Sequence, residues 1–100
     1  MLVRIVRMTF QPEKVEQFLE IFHSSKQKIK AFEGCLYLEL LQDAEQPNVF
    51  CTYSRWQSAE YLEKYRQSEL FQTTWAATKV LFADRPQAFS LIPQIIVQEA

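Results

Sequence analysis

The chain is poor in metal ligands, in glycine, in net charge and in long apolar runs, and each shortage closes a class of function. It holds one histidine, His23, and two cysteines, Cys35 and Cys51, at spacings that form no metal-ligand pattern. A zinc site is therefore excluded. Both cysteines fall in strand-like runs and read as small buried hydrophobes. A disulfide between them would need neighbouring strands in register, and nothing in the sequence suggests secretion. A formal net charge of −1 gives no global field to recruit nucleic acid or an anionic membrane. No apolar run approaches membrane-spanning length, and Leu2 to Arg7 has no signal-peptide layout. The expectation is a cytoplasmic protein with no metal and no cofactor. The only glycine, Gly34, is available for a single left-handed position, most simply the cap at the end of a helix.

What is plentiful is apolar and aromatic. Hydrophobic residues make up 48% and aromatics 14% of the chain, enough for a globular domain. At 100 residues that means one domain spanning residues 1–100. Eight Phe, four Tyr and two Trp are a large apolar load for this size, and part of it is expected to be buried against a second copy of the chain.

The pattern along the chain predicts alternating elements. Leu2 to Phe10 is rich in β-branched residues and reads as a strand. Pro12 opens a helix, with Glu13 and Glu16 favouring its positive end. Val15, Phe18, Leu19, Phe22, Ile29 and Phe32 repeat at helical spacing, and Glu33-Gly34 ends the run. Lys26, Lys28 and Lys30 suit the negative end of that helix better than they suit a phosphate site. Cys35 to Leu41 forms a second strand and Val49 to Trp56 a third, joined as a hairpin by the polar loop Gln42 to Asn48. Ser58 caps a helix running to about Arg66. Ser68 caps another, with Phe71, Trp75, Thr78, Leu81 and Phe82 on one stripe, until Asp84-Arg85-Pro86 breaks it. Ala88 to Ile92 is a fourth strand, and after Pro93 the segment Gln94 to Val97 is an extra edge strand or an arm. The order β-α-β-β-α-β, with the second helix split, is the α+β ferredoxin-like pattern with a four-stranded antiparallel sheet. Helices cover one face of that sheet. The other carries apolar and aromatic residues, and a second subunit is the simplest cover.

Several phrases, in this order and spacing, resemble the antibiotic biosynthesis monooxygenase family of dimeric α/β barrels. They are Thr9 to Phe18 across the first turn, Phe32-Glu33-Gly34-Cys35, Tyr53-Ser54-Arg55-Trp56-Gln57-Ser58, and Tyr61-Leu62 to Ser68-Glu69-Leu70-Phe71. The resemblance implies a homodimer. It also implies cofactor-independent oxygenation of a small aromatic or quinol-like molecule, although the same fold hosts haem degradation, isomerisation and proteins without assigned activity. The alternatives are a non-catalytic small-molecule-binding module and a purely structural dimer. Where many relatives carry a histidine, this chain has Tyr65. Near the axial histidine of the haem-degrading relatives it has Trp75, which cannot ligate iron.

The candidate catalytic residues are Tyr65 and His23. A phenol donates a hydrogen bond, and as a phenolate it is a base, but its ordinary pKa of about 10 stands against the second role. His23 is the only imidazole and has no visible acidic partner. A substrate pocket would draw on Phe22, Tyr53, Trp56, Phe71, Trp75 and Phe89 around Tyr65, although a stripe of this kind is more often plain core. Arg4 and Arg7 interrupt the first strand. An inward arginine would hold a carboxylate or enolate oxygen, but an ion pair with Glu39 or Glu60 is the simpler reading.

Overall fold

The computed structural model describes residues 1–98. Its elements are β1 (Leu2–Thr9), a one-turn 3-10 helix (Pro12–Lys14), α1 (Val15–Lys30), β2 (Cys35–Gln42), β3 (Val49–Trp56), α2 (Ala59–Arg66), α3 (Glu69–Lys79) and β4 (Gln87–Leu91). The strands form one sheet in the order β2-β3-β1-β4, and every neighbouring pair is antiparallel. This is the split βαβ arrangement with helices on one face, and the sheet is open rather than closed.

Strand alternation sorts the side chains. Arg4, Val6 and Met8 of β1 stand in register with Ser54, Thr52 and Phe50 of β3, and these even-numbered positions face the helices. Val3, Ile5 and Arg7 pair with Arg55, Tyr53 and Cys51 and face the other way. Leu38 and Leu40 of β2 line up with the inward set, while Tyr37, Glu39 and Leu41 join the outward one. Leu36, two positions before Leu38, would share its face by strict alternation. A register irregularity between Cys35 and Tyr37 takes it out of alternation, and it is exposed.

Two buried clusters hold the helices to the sheet. One contains Met8, Phe10, Phe18, Phe50 and Leu81, with the Phe10 and Phe18 rings stacked at 4.1 Å between centroids. The other contains Leu2, Cys35, Trp56 and Leu62. Leu81 and Phe82, expected on the last turn of α3, lie beyond its end at Lys79. They reach the core through the loop, where Gln11 N–H donates to the Leu81 carbonyl, Ala83 N–H donates to Thr9, and Phe82 bridges to Phe10. Both cysteines are free. Their strands are neighbours, but Cys35 stands opposite Trp56 and Cys51 opposite Leu41, on different faces.

Gly34 does adopt a left-handed backbone, with φ of 86°, but it does not cap α1. The helix ends at Lys30 with Ala31 as its cap, and Gly34 lies in the turn that follows. A second constraint selects glycine there: a Cβ would fall on the side chain of Tyr61 in α2. The Gly34 carbonyl also accepts from Gln57 N–H at 2.8 Å, tying this turn to the start of α2. Ser58 has the extended backbone of a helix cap without the side-chain hydrogen bond. Ser68 makes that bond, accepting from Phe71 N–H at 3.1 Å.

Residues 92–98 have no regular structure. They form an arm rather than an added strand, with Ile95, Ile96 and Val97 all highly exposed.

Candidate functional site

An apolar cavity of about 300 Å³ lies between sheet and helices. Its lining takes Met8 and Phe18 from one core cluster and Trp56 and Leu62 from the other, so it occupies the gap between them. The volume is at the small end of the range for ligand pockets.

One wall is a run of aromatic rings. Trp56, the last residue of β3, is only 1% exposed. Its indole N–H donates to Ser54 Oγ at 3.0 Å, two residues back on the same strand face, which fixes the ring plane. The Tyr65 ring stacks on Trp56 at 5.0 Å. Phe71 meets Tyr65 edge-on at 5.2 Å, and Trp75 stacks on Phe71 at 5.8 Å. Phe32 supports Tyr65 from the side at 5.3 Å. The spacing explains the run: Tyr65 is one turn beyond Tyr61, which is seated against Gly34, and Phe71 and Trp75 are four apart on α3. Offset and edge-on pairs of this kind suit the ring quadrupoles.

Burial pushes the Tyr65 hydroxyl pKa well above its ordinary value, with the nearby Cys35 adding to the effect. The phenol therefore stays protonated at neutral pH. It is a hydrogen-bond donor and not a base.

The polar part of the lining is small. Thr52 and Ser54 lie on the sheet floor, and Thr74 and Thr78 on α3. Thr78 is occupied within its helix, its Oγ1 donating to the Thr74 carbonyl at 2.7 Å. Among the described residues the only charged ones in the lining are Arg4 and Arg66. Arg4 donates to Ser90 Oγ on β4 at 2.9 Å. Arg66 contacts Glu63 at 3.2 Å across one helical turn.

The structure thus brings together Phe22, Trp56, Tyr65, Phe71 and Trp75. It does not bring the other three candidates to the cavity. His23 is exposed on α1, rotated away from Phe18 and Phe22, and its Nδ1 accepts from the Lys26 ammonium at 3.0 Å. Tyr53 and Phe89 are both in register with Ile5, on the sheet face opposite the helices. Arg7 pairs with Asp43 at 3.3 Å, in place of Glu39 or Glu60. The polar residues Thr52, Ser54 and Arg66 were missed. Strand period would have found the first two, since they share a face with Trp56. Among the described residues no group of three His, Cys, Asp or Glu side chains is placed to share a metal ion.

Residues 1–77 match the antibiotic biosynthesis monooxygenase family. The chain belongs to that family. Solved structures extend the likeness past residue 77. A crystal structure of an antibiotic biosynthesis monooxygenase superposes with a TM-score of 0.89 at 18% identity, covering 95% of this chain and 100% of that one. A conserved protein from Methanosarcina mazei Go1 gives 0.88 at 19% identity, covering 94% of each chain. Rv0793 from Mycobacterium tuberculosis gives 0.88 at 18% identity, covering 97% of this chain and 98% of that one. At such identities the antibiotic biosynthesis monooxygenase neighbours show the fold alone. No curated protein matches the sequence. No helix among the described residues is long and apolar enough to cross a membrane.

Proposed function

We propose that this family member is a homodimer whose helix–sheet cavity binds a small aromatic or quinol-like molecule and oxidises it with molecular oxygen, without a cofactor. The observation that carries the reading is the aromatic wall from Trp56 through Tyr65 and Phe71 to Trp75, a set of flat surfaces around an open space. A phenol held there gives up its proton to solvent and becomes an electron-rich anion, and a proton returns to the peroxide that forms later. The anion passes an electron to oxygen, and the resulting radical and superoxide recombine at the ring as a peroxide. Loss of water from the peroxide leaves a quinone, so one oxygen atom enters the ring and the other leaves as water. The protein's part is to exclude bulk water, orient the ring and supply donors. Tyr65, kept protonated by burial, donates to a substrate oxygen.

Dimerisation is part of this reading. The sheet face away from the helices carries Val3, Ile5, Tyr53 and Phe89 in adjoining register, with Tyr37 and Leu41 beyond. Tyr37, Leu41, Phe89 and Leu91 are exposed in the protomer, and an apolar sheet face of this extent calls for a partner. A second copy would close two open sheets into a barrel. Two free thiols suit a reducing compartment, and we assign the protein to the cytoplasm.

A second reading is favoured by one observation: among the described residues the cavity lining contains no histidine and no carboxylate. A protein that binds the same ligand without turning it over needs no base. Oxygen uptake against a panel of hydroquinones and anthrols separates the two. Turnover that falls in Tyr65→Phe supports oxygenation. Saturable binding without oxygen uptake supports the binding module, and neither result would leave the cavity without the assigned role.

A further inference from the structure

Among the described residues Arg4 and Arg66 are the only charged groups in the cavity lining, and both are cations. Arg4 projects from the middle of the sheet beneath α2, partly buried, and its partner is the neutral hydroxyl of Ser90. One bond of this kind leaves most of a five-donor guanidinium unanswered. Arg66 closes the same space from the end of α2. Its one acidic contact, Glu63, is exposed and made across a helical turn, a class of pair that neutralises little. Burial and the positive charge of Arg66 both press the Arg4 pKa downward, only partly offset by Glu63. A partly buried Arg4 with no carboxylate partner and an exposed Arg66 at the rim put positive charge on one side of an apolar cavity, and an anion bound there would answer both.

We propose that the cavity selects a planar aromatic carrying an oxyanion, a carboxylate or an ionised phenol, which sits on the Trp56–Tyr65 wall with its charged oxygen between Arg4 and Arg66. This rests on the aromatic-binding reading above and adds the charge of the ligand. It also answers the missing base. Where no histidine or carboxylate stands ready to take a proton, two guanidinium groups lower the cost of the anion itself. Guanidinium is also the side chain whose planar fork matches a carboxylate in two parallel bonds.

The test compares 2-naphthoate with its neutral analogue 2-naphthamide by calorimetry on the full chain, at low and at high salt. The naphthoate is expected to bind about tenfold or more tightly, the scale of a charge-assisted hydrogen bond, with the preference shrinking at high salt. Arg4→Met and Arg66→Met should each remove most of that preference, with naphthoate affinity falling by a larger factor than naphthamide affinity. Arg66 is exposed, so its truncation preserves the fold and carries the test even where Arg4→Met does not fold. A second arm follows 2-naphthol by absorbance. Ionisation of the bound naphthol at least one pH unit below that of the free compound assigns the oxyanion to a phenol, and a naphthoate preference alone assigns it to a carboxylate. Equal affinity for naphthoate and naphthamide, together with unshifted naphthol, overturns the oxyanion inference and leaves aromatic binding standing. Failure of all three to bind overturns both.

Discussion

Replacing Gly34 with alanine tests how the turn after α1 builds the cavity wall. Two costs add. A non-glycine residue at φ of 86° costs roughly 1–2 kcal/mol. The new methyl group would also fall on the Cβ and ring of Tyr61, and forcing extra volume into packed space typically costs about 1–3 kcal/mol. The sum is about 2–5 kcal/mol. In a domain near 100 residues each kcal/mol moves the melting temperature by roughly 4–8 °C, so a fall of more than about 8 °C is expected by calorimetry or circular dichroism. The strain should not stay local. Tyr61 is one turn before Tyr65 on α2, so yielding at Tyr61 loosens the ring that stacks on Trp56, and Trp emission should change in the folded variant. A double-mutant cycle with Tyr61→Gly isolates the contact, because removing both the Cβ and the ring should make Gly34→Ala less damaging by about 1 kcal/mol or more. A melting temperature within about 4 °C of wild type, or full additivity in the cycle, would refute the packing argument.

Other predictions follow from the same geometry. Phe89 is 47% exposed in the protomer; burying that share of an aromatic's ~200 Å² at about 25 cal/mol per Å² is worth roughly 2 kcal/mol per subunit. Phe89→Asp should therefore weaken the proposed dimer by three orders of magnitude or so, seen by sedimentation as monomers at concentrations where the wild type is expected to pair, and an unchanged dimer would place the interface elsewhere. Burial raises the folded-state pKa of Tyr65, while the unfolded phenol titrates near pH 10, about its reference value. Its contribution is complete below that pH and is lost as pH rises toward the folded value. Tyr65→Phe should remove this loss, so wild-type stability should fall more steeply than the variant's in alkaline denaturation; parallel curves would contradict it. Ser68→Ala removes the cap of α3 and should cost about 1 kcal/mol in chemical denaturation, with no effect counting against that role for the hydroxyl.

Element order and sheet class were legible from the sequence because period 2 and period 3.6 segments alternate cleanly and the Ser, Pro and Gly signals fall between them. Boundaries moved where tertiary contacts overrode local signals. Leu81 and Phe82 continue the helical stripe in sequence, yet the core is reached by a loop that hydrogen-bonds to Thr9 and Gln11. Gly34 was recognised as left-handed, but its second constraint, the Tyr61 side chain, comes from an element 27 positions further along and leaves no local trace. In the site, clustering of aromatics in the chain located the wall. It did not separate the two sheet faces, so Tyr53 and Phe89 were grouped with rings that they oppose across the sheet. The register of β1 decides this, since Arg4 and Ile5 are neighbours in sequence and look to opposite sides. That register also turns Arg4 inward and Arg7 outward to Asp43, a distinction that the composition of the strand does not hold.

The most direct measurement is a titration of the protein with a small hydroquinone, following the emission of Trp56 and Trp75 from opposite ends of the aromatic wall. Saturable quenching with one site per protomer is the expected result, abolished in Thr74→Phe, which fills the cavity from α3. Quenching that never saturates, or that survives the filled cavity unchanged, would contradict binding between the helices and the sheet.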